Sequence, residues 1–130
     1  MTIVKDKYRG TKAYFLAFSE LITATRYHGV VHYQQIAQMT GLPLSGNYMG
    51  HELGQLLGEI SEDEFLNKKP MLSALAVSVK GTPTAGFYTL ARELGKLKSD
   101  AEADELPFWQ KECKELYETW KALPREKKGE

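Results

Sequence analysis

Three histidines, one cysteine and a run of glycines are the first residues to examine for chemistry in this chain. His28 and His32 stand four apart, but Gly29, Val30 and Val31 between them break any shared helix face. His51 is remote, and no cysteine or carboxylate joins the three at the spacing a tetrahedral metal site requires. A structural or solvent-facing role is the expectation for each. Cys113 is the sole cysteine, so no internal disulfide can form. It falls among Trp109, Leu116 and Trp120, where a buried thiol behaves as an inert small hydrophobe. The segment Gly81-Thr82-Pro83-Thr84-Ala85-Gly86 has the glycines of a phosphate loop but lacks its Gly-Lys-Ser/Thr ending, and reads as a turn. No Ser/His/Asp set or carboxylate pair can be tied to one place. The expectation is a protein with no catalytic residue, no metal and no cofactor.

Two groups of residues suit binding instead. Gly50, Gly54 and Gly58 recur every four residues on one helix face. Each interior glycine costs about 1 kcal/mol relative to alanine, so three on one stripe imply close approach of another backbone. That backbone could be nucleic acid, a partner helix, or an element of the domain itself. The second group is polar and aromatic: Tyr33, Ser45, Asn47, Tyr48, His51 and Gln55. Tyr48 offers a stacking surface, and Asn47, His51 and Gln55 offer donors for base edges or phosphate. Lys68, Lys69 and Lys80 would add phosphate contacts if they share a face with Tyr33 and His51. Further basic residues, Lys5, Lys7, Arg9, Lys12 and Arg26, flank the first helix. Against this, no Lys or Arg lies between Asn47 and Ile60, where Glu52 and Glu59 would repel phosphate.

The elements that position these residues follow from the apolar spacing. A first helix is expected from about Lys12 to Tyr27, interrupted by Gly29, with Val30 and Val31 as a short strand. Tyr33 to Thr40 forms a second helix ended by Gly41, a residue suited to the left-handed cap. After the loop Leu42 to Gly46, Asn47 is a plausible N-cap for a third helix reaching about Ile60, with Met49, Leu53, Leu56, Leu57 and Ile60 on its apolar stripe. Ser61 and Glu64 suggest a capping box for one extra turn. Met71 to Val79 is the clearest strand pattern, Gly86 to Gly95 a short helix, and Ser99 to Glu105 an acidic connector. The last helix is marked by Trp109, Cys113, Leu116, Trp120 and Leu123.

The whole, 130 residues at 42% hydrophobic and 26% charged, suits one globular domain with a mainly α (α+β) core. That core would span about 12–80, followed by a helical extension at about 86–123 and a frayed tail at 124–130. Seventeen basic residues balance seventeen acidic ones, so no net field draws the molecule to nucleic acid or an anionic membrane. The N-terminus lacks the apolar run of a signal peptide, and the apolar stretches are too short to span a bilayer. Cytoplasmic location and no membrane partner are the expectations.

The stretch from Val31 to about Val79 resembles the DNA-binding domain of the alkylguanine-DNA alkyltransferases and their alkyltransferase-like relatives. Val31-His32-Tyr33-Gln34-Gln35-Ile36-Ala37 is similar to that family's V-x-Y-x-x-[LI]-A segment, and His51-Glu52-Leu53-Gly54-Gln55-Leu56-Leu57 to its recognition-helix run. Lys69-Pro70-Met71-Leu72-Ser73-Ala74 falls where the family has P-C-H-R-V. The resemblance implies a winged helix-turn-helix core, with Met71 to Val79 leading into the wing. Met71 stands where the reactive cysteine would be, and a thioether forms no thiolate, so alkyl transfer is not implied. His51 replaces the base-displacing arginine. Two functions therefore stand side by side: a non-catalytic module that binds nucleic acid weakly, as part of a repair, restriction or regulatory complex, and an interaction adaptor or inhibitor using the glycine-striped helix to dock a protein partner or its own copy.

Overall fold

A computed structural model describes residues 4–42 and 46–121, with the backbone alone at 46–49. The described chain is mainly helical. Its order is α1 (Lys12–Arg26), β1 (Val31–His32), α2 (Tyr33–Thr40), α3 (Gly46–Leu66), a 3-10 turn (Leu72–Leu75), β2 (Ala76–Val77), α4 (Ala85–Glu93), a second 3-10 turn (Glu102–Asp104) and α5 (Glu105–Thr119). No helix among the described residues is long and apolar enough to cross a membrane.

Local chemistry sets the helix ends. Thr11 caps α1 by accepting the Tyr14 N–H. The helix closes through His28, not Gly29: His28 takes φ 57°, and the Gly29 N–H reaches back to the Ala24 carbonyl at 2.9 Å. A Cβ at Gly29 would lie 2.7 Å from the exposed Tyr27 ring, which would have to move aside. Gly41 ends α2 at φ 81° as expected of a left-handed cap.

The core is built around the segment that follows α3. Met71, Leu72, Ala74, Leu75, Ala76 and Val77 are fully buried, and α1, α3 and α5 all pack on the 3-10 turn. Leu21, Ile36, Leu56, Ile60 and Leu116 converge on it from four helices. Each such aliphatic side chain contributes about 1.5–3 kcal/mol by leaving water.

Three expectations are corrected here. The run Met71 to Val79 is not a nine-residue strand; four residues form the 3-10 turn and only Ala76 and Val77 form a strand. Their partner is β1, paired in parallel with Val31 opposite Ala76 and His32 opposite Val77. The run is apolar because it is enclosed by helices, and a short buried turn has the same composition as a buried strand. Second, Asn47 does not precede α3, which begins at Gly46; nor does α3 stop at Ile60, because it continues unbroken to Leu66. Ser61 and Glu64 lie inside it, and the buried Ser61 hydroxyl contacts the Ser73 hydroxyl at 2.6 Å instead of capping a new turn. Third, α5 ends at Thr119, ahead of Leu123. Ser45, Leu123 and the 124–130 tail lie outside the described residues.

Candidate functional site

Helix α3 carries two faces with different tasks. One is acidic and is covered by the protein's own N-terminal segment. Glu59, fully buried, accepts the backbone N–H groups of Lys7 at 3.0 Å, Tyr8 at 2.9 Å and Arg9 at 2.7 Å, together with the Gln55 amide at 2.7 Å. Three successive amides converging on one carboxylate make a small anion nest. Glu62 accepts the Val4 N–H at 3.2 Å and Arg9 Nη2 at 2.8 Å, and Asp63 pairs with Arg9 Nε at 2.9 Å. Glu52 takes the Lys7 ammonium at 2.9 Å and the Tyr8 hydroxyl, which together hold its carboxyl below the usual range. These carboxylates serve the fold. Lys7 and Arg9 are consequently paired with the chain's own carboxylates, Lys7 while remaining exposed.

The other face is the glycine stripe. Gly50, Gly54 and Gly58 line a groove of about 420 Å³ between α3 and α4, with Leu53, Leu57, Phe87 and Leu90 as its apolar walls. Among the described residues, a Cβ built on Gly50 or Gly54 would meet nothing within 4 Å, whereas one on Gly58 would touch Val4 at 3.7 Å and Leu90 at 3.9 Å. Packing within the described fold therefore accounts for Gly58 and not for Gly50 or Gly54. Polar groups stand around the groove. The Tyr33 hydroxyl accepts the Thr84 N–H at 2.9 Å, and Ser73, Thr89 and Glu93 complete the lining. Glu93 is exposed and makes no ion pair among the described residues.

The polar residues expected to form one nucleic-acid face are placed at separate locations. Tyr33 lines the groove and His51 is exposed one turn along α3 from Gly54. Gln55 has its amide engaged by the Lys5 carbonyl at 2.7 Å and by Glu59. Lys68 and Lys69 lie beyond the other end of α3, separated from His51 by fifteen helical residues, roughly 22 Å at 1.5 Å per residue. There they close the helix: Lys68 takes φ 64°, and the Lys69 N–H reaches the Glu64 carbonyl at 2.9 Å. The Lys69 ammonium sits 4.5 Å above the Trp120 ring. Lys80 is exposed on a turn closed by Ser78 and Gly81. Lys68 and Lys69 thus lie past the opposite end of α3 from His51. The side chains of Asn47 and Tyr48, and all of Ser45, lie outside the described residues.

The groove was only half legible in the sequence. The stripe marked the helix, but α4 as the opposite wall and Glu93 at the rim carried no local signal. Among the described residues no group of three metal-ligating side chains forms. His28 instead stacks on Tyr117 with ring centroids 4.6 Å apart.

Cys113 is buried in α5 with its sulfur 3.8 Å from the Ala74 carbonyl. Burial, with the neighbouring Glu112 charge, pushes its thiol up to about 12. Iodoacetamide at mildly alkaline pH is expected to label the native protein about a hundredfold or more slowly than the urea-unfolded chain, since thiolate is the reactive form. Equal labelling rates would contradict this burial.

No protein-family model, no curated protein and no solved structure matches this chain.

Proposed function

We propose that the chain is a non-catalytic binding module whose recognition element is the groove between α3 and α4. Its occupant is a short segment of a partner protein, presenting apolar side chains to Leu53, Leu57, Phe87 and Leu90 and a basic side chain to Glu93. The observation that carries this reading is the uncovered pair Gly50 and Gly54. Two glycines inside a helix, with no neighbour among the described residues that requires them, let a foreign backbone approach α3 closely. Charge supports the same choice. Among the described residues the groove's one charged-type lining residue, Glu93, is acidic, and Lys7 and Arg9 are already paired with carboxylates.

Nucleic acid is the second reading, within a winged-helix core of the alkyltransferase-like kind. The observation favouring it is the Tyr33 ring beside the glycine floor, a surface on which an unstacked base could rest. His51 and Lys80 are the exposed residues that would then meet phosphate.

A random peptide library selected against the wild-type protein separates the two. The expected result is enrichment of sequences combining two apolar residues with Lys or Arg. Binding of those peptides should fall about tenfold or more in Gly54→Leu, which fills the groove, and less in Glu93→Gln. Enriched peptides that bind Gly54→Leu as well as wild type would overturn the groove as the site. Salt-sensitive binding of single-stranded DNA, lost in Gly54→Leu and in a Tyr33→Ala/His51→Ala double variant, would establish the second reading instead.

A further inference from the structure

We propose that a second cleft, between α1 and the C-terminal end of α3, is a binding site for an organic cation: the ammonium or guanidinium of a lysine or arginine presented by a partner protein. Tyr14, Phe15 and Phe18 line one side, and Asp63, Glu64, Leu66 and Asn67 the other. Tyr14 and Phe18, one turn apart on α1, lie with their rings nearly parallel, 11° apart at 6.4 Å between centroids. Phe15 meets Tyr14 edge-on at 5.8 Å, and Phe18 is steadied from behind by the Trp120 ring at 6.3 Å. Phe15 is 60% exposed and Leu66 54%, which is unusual for large apolar residues that face each other across a cleft.

An apolar cleft alone would say nothing about its ligand; Glu64 does. It is 95% buried by its 5% exposure, and its Oε1 has no hydrogen-bond partner among the described residues. A buried carboxylate oxygen without a donor is a group whose partner is missing. The neighbouring acid does not compete for that role, because Asp63 already accepts from Arg9 at 2.9 Å and from the Tyr14 hydroxyl at 2.5 Å. Aromatic rings with a carboxylate beside them attract one chemical class, the organic cation, whose methylenes lie on the rings while its charge faces the acid. Burial raises the Glu64 carboxyl above the ordinary carboxylate value; of the charged groups facing it, Lys69 draws its proton affinity down and Asp63 draws it up. Cation binding and proton release at Glu64 are therefore coupled, and binding weakens as pH falls.

The experiment is an NMR titration of the full chain with N-acetyl-arginine amide and N-acetyl-lysine amide, against potassium chloride at equal ionic strength. The proposal expects saturable shifts at Phe15 and Leu66 with the amides but not with the salt, and weaker binding at acidic pH. Glu64→Gln should weaken binding about tenfold, and Phe15→Ala, an exposed position that leaves the fold intact, several-fold. Glu102→Gln, an exposed carboxylate on the second 3-10 turn and outside both clefts, should leave it unchanged. Wild-type shifts no different from those with potassium chloride would overturn the proposal. So would Glu64→Gln binding as tightly as wild type.

Discussion

Replacing Glu59 with alanine is expected to lower stability by about 3 kcal/mol, a fall of roughly 10 °C in Tm for a chain of this size. The reason is the density of bonds on one buried carboxylate. Lys7, Tyr8 and Arg9 each donate a backbone N–H to it, and Gln55 adds a fourth donor. Hydrogen bonds to a charged acceptor contribute about 1.5–3 kcal/mol each, but the loss is not their sum. Once the carboxylate is gone the N-terminal segment can lift away and water can satisfy its amides. The upper limit is then set by what the segment contributes as a whole: its Glu62 and Asp63 pairs with Arg9, and Val4 packed against Gly58. Thermal unfolding gives the magnitude, and hydrogen exchange locates it. Amides 7–9 should lose protection in the variant while those of α5 keep it. A wild-type melt would mean that the segment is not held by this carboxylate.

Glu112→Ala is expected to cost a similar amount, about 3 kcal/mol, by freeing α5 from the core. Glu112 is buried, pairs with the Lys96 ammonium and accepts the Met71 N–H at 2.8 Å. Removing one partner of a buried ion pair leaves the other charge poorly satisfied, at about 3–5 kcal/mol; Lys96 is partly exposed and recovers some of this in water. The Met71 N–H cannot recover so easily, because Met71 is fully buried at the edge of the 3-10 turn. The Trp109 indole, bonded to the Ala74 carbonyl at 2.8 Å, remains as a second anchor and keeps the variant folded. Urea unfolding should show Glu112→Gln losing markedly less than Glu112→Ala, since glutamine retains an acceptor for Met71. Equal losses would show that the ion pair with Lys96 carries the effect.

What could be read from the sequence divides along the range of the interactions. Helices α1, α2 and α5 were legible because apolar spacing, Gly41 and the Trp109 to Trp120 rhythm are local signals. The extent of α3 was not. Ser61, Glu62 and Glu64 look like surface residues or a cap, yet Ser61 is paired with Ser73 and Glu62 with Arg9, 53 positions away. Glu52 and Glu59 looked like groups that repel phosphate, whereas they bind the chain's own N-terminal segment. The same long range hid the fate of the cations: Lys7 and Arg9 counted toward a basic surface until their carboxylate partners were known. The run after Pro70 misled for a different reason. Enclosure by three helices makes a 3-10 turn as apolar as a strand, and composition alone cannot separate them. Of the candidate site, the stripe of Gly50, Gly54 and Gly58 was visible as a question about what approaches it. Only the placement of α4 and Val4 shows that Gly58 is covered from within, while the other two are open among the described residues.

That openness is the central claim, and the stability of a Gly50→Ala/Gly54→Ala double variant tests it most directly. Each added methyl meets nothing within 4 Å among the described residues, and alanine is preferred over glycine within a helix by about 1 kcal/mol. Thermal unfolding should therefore show the double variant more stable than wild type by about 1–2 kcal/mol. A variant less stable than wild type would mean that the protein itself fills this face, and that the groove is not a place for another molecule.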